Sequence, residues 1–217
     1  MADVVRPGLE LLLVGINPGL ISARERAHFA NPANPFWALL HDSGLIPLRL
    51  KPGEQRRLLD FGIGITNLVA RESAGVSDLS PEDFAKGREE LRRKIQRLKP
   101  RIVAFVGVSA FRQFALARGP LRCGEQAGEL HGARVFVLPN PSGRNAHFSR
   151  AEMLAAFREL ARIVRSRVSR SWKERSRSAM EAKSHEKYTS RAEKPKSRDQ
   201  SLAGGLTAHS VRSRTSQ

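Results

Sequence analysis

Four short apolar runs, each followed by a helix-like stretch, constrain this chain more than any other feature. They lie at 10–15, 61–66, 101–106 and 134–139. Leu11-Leu12-Leu13-Val14 and Ile102-Val103-Ala104-Phe105-Val106 are apolar at every position. A strand with one wet face would alternate instead, so these runs predict strands covered on both faces. Helix patterns fall at 34–42, 81–98, 109–118 and 150–165. The first ends at Ser43-Gly44. The second has Ser80 as cap, Pro81 at the first position, Asp83 at the third and Lys99-Pro100 as its stop. The third ends at Gly119-Pro120, and the last opens with Ser149 and Glu152 in capping-box spacing. Strands joined through helices run parallel with right-handed crossovers. The expected fold class is therefore α/β, a three-layer α/β/α sandwich with a short, mostly parallel central sheet. There is no internal repeat and no Gly-rich dinucleotide fingerprint.

Charge narrows the partner. The 217 residues hold 38 Lys and Arg against 21 Asp and Glu, a net charge of +17. Such an excess favours a polyanion, most simply nucleic acid. A solubility feature or a membrane-surface patch are the competing readings. One cysteine, Cys123, excludes an intramolecular disulfide and any all-Cys metal or iron–sulfur site. No apolar run reaches the length of a membrane span, and the N-terminus lacks a signal-peptide pattern. A soluble, reducing, intracellular setting is expected: cytoplasmic at the nucleoid, or nuclear in a eukaryote. Residues 1–165 are expected to form the globular domain. Residues 166–217 hold 13 Lys and Arg, 5 Asp and Glu and 12 Ser, without apolar periodicity. They predict a disordered basic tail, which either holds DNA loosely or is dispensable.

Two Asn-Pro turns carry the functional signal. Gly15-Ile16-Asn17-Pro18-Gly19 ends the first strand, and Asn140-Pro141-Ser142-Gly143 ends the last. Ligands of parallel sheets bind at the carboxyl ends of strands, so the two turns are expected to share one crevice. The first turn lacks the Gly-Lys-Ser/Thr ending of a phosphate-binding loop. Its Asn17 amide can donate and accept at once, orienting a water while contacting a substrate. The competing reading is a tight structural turn. Phe29 lies in a loop ahead of Asn31-Pro32 and Asn34-Pro35 and is placed to stack on a planar ligand. Phe36 and Trp37 read as the core face of the next helix. In the second loop, Ser142 and nearby backbone N–H groups suit a phosphate beside a helix N-terminus. Arg144 at the loop tip either enters a duplex or is a solvated surface charge. His147 suits acid–base work, although a lone loop His more often has no catalytic role.

Taken together, these residues resemble the mismatch-specific uracil-DNA glycosylase and thymine-DNA glycosylase family of the uracil-DNA glycosylase superfamily. The likeness runs from about Leu9 to Arg165. Gly64-Ile65-Thr66-Asn67-Leu68-Val69 and Lys99-Pro100-Arg101-Ile102-Val103-Ala104-Phe105 also fit. The resemblance implies hydrolysis of the N-glycosidic bond of a flipped base in mispaired or damaged double-stranded DNA, with no metal or redox cofactor. Asn17 takes the catalytic position that holds the attacking water. Asn140 joins it near the departing base or its sugar. Ile16, Pro18, Gly19, Ser22, Phe29 and Asn31 form the implied substrate-binding set, with Phe29 stacking on the base and Ser22 at its C5 edge. Ser142, Gly143, Arg144 and Asn145 form the implied DNA-binding set. In it Ser142 grips phosphate, while Gly143 and Arg144 fill the vacated stack.

Arg144 stands where the bacterial mismatch-specific type has Leu. Asn31 replaces a His common in that type, and Asn67 follows the thymine type in place of Lys. The expected protein is a monomeric, monofunctional glycosylase acting on uracil, thymine or other deaminated bases opposite guanine. Enzymes that process abasic sites would follow it. The alternatives are a non-catalytic damage-binding module, and a glycosylase for single-stranded uracil or deaminated purines.

Overall fold

The four apolar runs form the strands they predict. In the computed structural model, which describes residues 1–142 and 148–166, these are β1 (Leu11–Gly15), β2 (Ile63–Asn67), β3 (Ile102–Val106) and β5 (Ala133–Leu138). They lie in the order β2-β1-β3-β5 and run parallel. Alternate side chains divide the sheet between two cores. Leu11, Leu13, Ile65, Ala104 and Phe136 face one side, against helices α2 (Phe36–Asp42) and α5 (Arg150–Ser166). Leu12, Val14, Val103, Phe105 and Val135 face the other, against α3 (Pro81–Leu98) and α4 (Val108–Ala115). Phe36 and Trp37 are buried in the first core, as their helix pattern predicts. Burying such a side chain contributes ~1.5–3 kcal/mol, so the two cores supply the main driving force. The α/β/α sandwich with a mostly parallel sheet is thus the observed fold.

The helix signals also hold. Ser80 Oγ accepts from Asp83 N at 3.2 Å, and Ser80 N donates to Asp83 Oδ2 at 2.9 Å. Ser149 and Glu152 make the same reciprocal pair at α5. Helix α4 stops earlier than its Gly119-Pro120 signal, at Leu116, which takes a left-handed conformation with φ of 53°.

Four elements among the described residues lie outside the expectation, the smallest a single 3-10 turn at Val76–Asp78. Strand β4 (Gly124–Leu130) adds an antiparallel edge to β5. Its residues are mostly exposed, so no apolar pattern marks it. A tight turn makes it: His131 and Gly132 both have positive φ, at 50° and 80°, the backbone of a type I′ hairpin. Helix α1 (Leu20–Arg24) is a single short turn, and Pro52–Phe61 is a 3-10 stretch. The outer edge of β2 is covered by Val4, which exchanges backbone hydrogen bonds with Ile65. Gly143, Arg144, Asn145 and His147 lie outside the described residues, as does the tail from Arg167 onward.

Candidate active site

The chain leaves β1 toward the face of α2 and leaves the adjacent β3 toward the face of α4. Opposite departures from neighbouring strands open a crevice at their carboxyl ends, where open α/β sheets bind ligands. The turn after β1 is at this crevice. β3 separates β1 from β5, so the two Asn-Pro turns stand about 10 Å apart, two strand spacings. Gly107 ends β3 between them with φ of 115°. A Cβ there would meet the Cβ of Asn140 at 3.3 Å. Asn140 Oδ1 accepts from Ser142 N at 3.0 Å, closing its own turn.

Asn17 is held by its amide nitrogen. Nδ2 donates to Ser73 Oγ at 2.8 Å, and Pro18 O and Arg71 O lie at 3.1 and 3.3 Å. Two of these partners are carbonyls, which cannot donate, so the –NH2 end must face them. Ser73 Oγ in turn donates to Gly75 O at 2.5 Å, which leaves it an acceptor toward Asn17. The amide orientation is therefore fixed by its surroundings, and Oδ1 is on the side turned from all three.

The loop that holds Asn17 runs from β2 to α3. It continues the parallel pairing beyond the sheet: Leu68 N donates to Gly15 O, Val69 N to Ile16 O, and Ser73 N to Pro18 O. Arg71 anchors it from outside, its guanidinium bonding Asp83 Oδ2 at 3.0 and 2.7 Å and Asp78 O at 2.5 Å. The Arg71 guanidinium and the cap bond to Ser80 hold the Asp83 carboxyl below the ordinary aspartate range. Ser73 and Arg71 were absent from the sequence-based site. Their signal was positional only, a polar run between a buried strand and the Ser80 cap.

Phe29 sits at the same end of β1. A Cβ on Gly15 would lie 3.3 Å from Phe29 Cζ and 2.5 Å from Asn67 Oδ1. Gly15, Asn67 and Phe29 therefore converge at the end of β1, where an added Cβ would push on the ends of both side chains. The Phe29 ring is half-buried and stacks on Phe36, with centroids 4.0 Å apart and planes at 21°. Its backbone is left-handed, φ 51°, a conformation that costs an L-residue ~1–2 kcal/mol and is sustained only by its surroundings.

Those surroundings centre on His28 and Gln55. His28 N and Nδ1 both lie against Gln55 Oε1, at 2.9 and 2.8 Å, while Gln55 Nε2 donates to Arg26 O at 2.9 Å. Gln55 Oε1 can only accept, so Nδ1 carries the proton. Burial lowers the His28 pKa. The ring is neutral, with Nε2 buried and unpartnered among the described residues. Trp37 Nε1 donates to His28 O at 3.0 Å.

The remaining expected residues separate. Pro18 is buried, Ile16 is half-buried and Gly19 is exposed, all in the turn itself. Ser22 is buried, and its Oγ accepts from Ala30 N at 3.1 Å, tying α1 to the Phe29 loop. Asn31 is exposed and closes a local turn, Oδ1 accepting from Ala33 N at 3.0 Å; nothing brings it to Asn17. A cavity of about 210 Å³ lined by Glu10, Arg101, Ile102, Arg134 and Val164 lies at the opposite, amino-terminal end of the strands.

Residues 2–162 match the family model of the uracil DNA glycosylase superfamily. The chain belongs to that superfamily. The matched span runs through β1, the Asn17 turn, the Ser73 loop and α5, so every element of the crevice belongs to it. The chain is also similar to the solution NMR structure of a candidate uracil DNA glycosylase from Methanosarcina acetivorans. Identity is 25%, with 74% of this chain and 96% of that one covered, at a TM-score of 0.52. Superfamily membership makes this a DNA glycosylase, with DNA as its partner.

Proposed function

We propose that this superfamily member excises uracil mispaired with guanine, as a monofunctional hydrolase of the N-glycosidic bond. The observation that carries the reading is the Asn17 amide. Its nitrogen is fixed by three acceptors and its carbonyl oxygen is turned from them, at the mouth of the switch-point crevice. A uracil opposite guanine costs less than a paired base to extrude, and extrusion of any base costs a few kcal/mol. The flipped uracil lies on Phe29, whose ring is backed by Phe36.

The C1′–N1 bond breaks toward an oxocarbenium-like sugar, and its electron pair passes to uracil N1. Backbone N–H groups of the turn stabilise that negative charge. Asn17 Oδ1 holds the water that bonds to C1′. An amide does not accept a proton at neutral pH, so the water proton leaves to the uracil anion or to solvent. Without a charged base at this position the reaction is slow. Ser73 and Arg71 are positioning residues acting through Asn17. Asn140 and Ser142 sit on the sugar-phosphate side, and Arg144 fills the vacated stack.

The test is a duplex carrying one G·U pair, compared with A·U and single-stranded uracil under single-turnover conditions. Alkali-labile breaks at uracil, fastest opposite guanine, are expected. Intact DNA with binding retained would overturn the activity. Equal rates on all three substrates would overturn the mispair preference.

A further inference from the structure

Arg158, Arg162 and Arg165 form one stripe on α5, at spacings of four and three residues. With Ser43 and Ser166 they line a groove of about 530 Å³ in which no carboxylate takes part. Like charges at these spacings repel across a helix face. Several arginines elsewhere have carboxylate partners: Arg49 and Arg150 both pair with Asp42, Arg71 with Asp83, and Arg134 with Glu125; the α5 stripe differs in gathering three arginines on one groove without one. In the groove, Arg165 is held by the carbonyls of Ser43 and Gly44, at 3.2 and 2.9 Å, where it closes the end of α2. Arg158 and Arg162 are exposed and form no ion pair among the described residues.

The groove is not part of the crevice. Helix α5 starts beside the Asn140 loop and runs back along the sheet. Val164, next to Arg165, lines the cavity at the amino-terminal strand ends together with Ile102 and Arg134. Strand β5 alone, six residues long, separates the two ends by about 16–20 Å. The groove also adjoins the point where the sequence continues into residues 167–217, with 13 Lys and Arg against 5 Asp and Glu.

We propose that the α5 groove grips the phosphate backbone of a second DNA segment, separate from the one presented to the crevice. The protein thereby bridges two duplexes and passes directly between them in its search. Guanidinium groups match phosphate in charge and fork geometry, and phosphate contacts of this kind support hopping along DNA. The inference rests on DNA being the substrate, as superfamily membership states.

The test uses the full-length chain and the double variant Arg158→Gln/Arg162→Gln, leaving Arg165 in place because it closes α2. Two uracil-free duplexes, one carrying a donor dye and one an acceptor, are mixed with protein, and energy transfer reports bridging. Uracil excision from a single short duplex is measured separately. The wild type is expected to bring the duplexes together. The variant should lose most of that signal while keeping its excision rate and its melting temperature. The salt slope for second-duplex binding should fall by about 2, one for each phosphate contact. Unchanged bridging in the variant, or none in the wild type, would overturn the proposal. So would a parallel loss of excision, which would place the groove on the path of the catalytic duplex. Bridging without excision in the wild type would instead remove the uracil reading and leave the groove standing.

Discussion

At the scale of single residues, the proposed chemistry turns on which end of the Asn17 amide faces the protein. The place of the Asn17 turn was legible in the sequence because a strand run delivers it to the sheet mouth. Ser73 was not, because its partner lies 56 residues away and only the fold brings them together. Ser73→Ala removes one of three acceptors and frees the amide to rotate. Its single-turnover excision rate should fall about ten-fold, the effect of ~1.4 kcal/mol, with DNA affinity unchanged in a binding titration. Equal losses of rate and affinity would remove Ser73 from the positioning role. His28 gives a pH signature. Its pKa is lowered in the folded state by burial, so the unfolded chain takes up the proton first on acidification. Its contribution to stability is complete above the ordinary value of 6.5 and is lost as pH falls below it, by at most ~1.4 kcal/mol per pH unit. Urea midpoints between pH 7.5 and 5.5 should show this fall in the wild type and lose it in His28→Gln.

Among the elements, the ones buried on both faces were readable and the edges were not. β1, β2, β3 and β5 announce themselves as apolar runs, and α3 and α5 by their caps. Strand β4 carries its hairpin signal in His131-Gly132 and no burial pattern. Helix α1 and the 3-10 stretch are too short for periodicity to register. The 3-10 stretch nonetheless matters, since its Gln55 clamps the loop that bears Phe29. Helix α3 shows how packing positions the site. A Cβ on Gly87 would fall inside contact distance of the Leu68 carbonyl oxygen, in the loop that goes on to Arg71 and Ser73. Helix propensity alone favours Gly87→Ala by ~1 kcal/mol. The close backbone approach should reverse that sign, giving a net destabilisation of ~1–3 kcal/mol in a urea melt and a slower excision rate. A stabilised Gly87→Ala protein would mean that α3 can move without disturbing Asn17.

For the whole molecule, charge and fold have different jobs. In the proposed reading the sheet switch point is where chemistry occurs, while the net +17 draws the protein to DNA. Binding should weaken steeply with salt as phosphate contacts release counterions. Removing residues 167–217 deletes 13 of the 38 basic residues and should make that slope shallower without changing the excision rate of bound substrate. An unchanged slope would leave the tail without a part in DNA binding. Fold class and crevice were legible from strand patterns and turn placement. Base preference was not, because it depends on side-chain orientation around the flipped base. The central claim is that Asn17 acts on the reaction and not on affinity. The most direct measurement is the single-turnover rate and DNA dissociation constant of Asn17→Ala on one G·U duplex. The account predicts a rate at least ~10²-fold lower, the scale for losing one preorganised polar group, with the dissociation constant nearly unchanged. An undiminished rate, or a loss explained wholly by weaker binding, would contradict it.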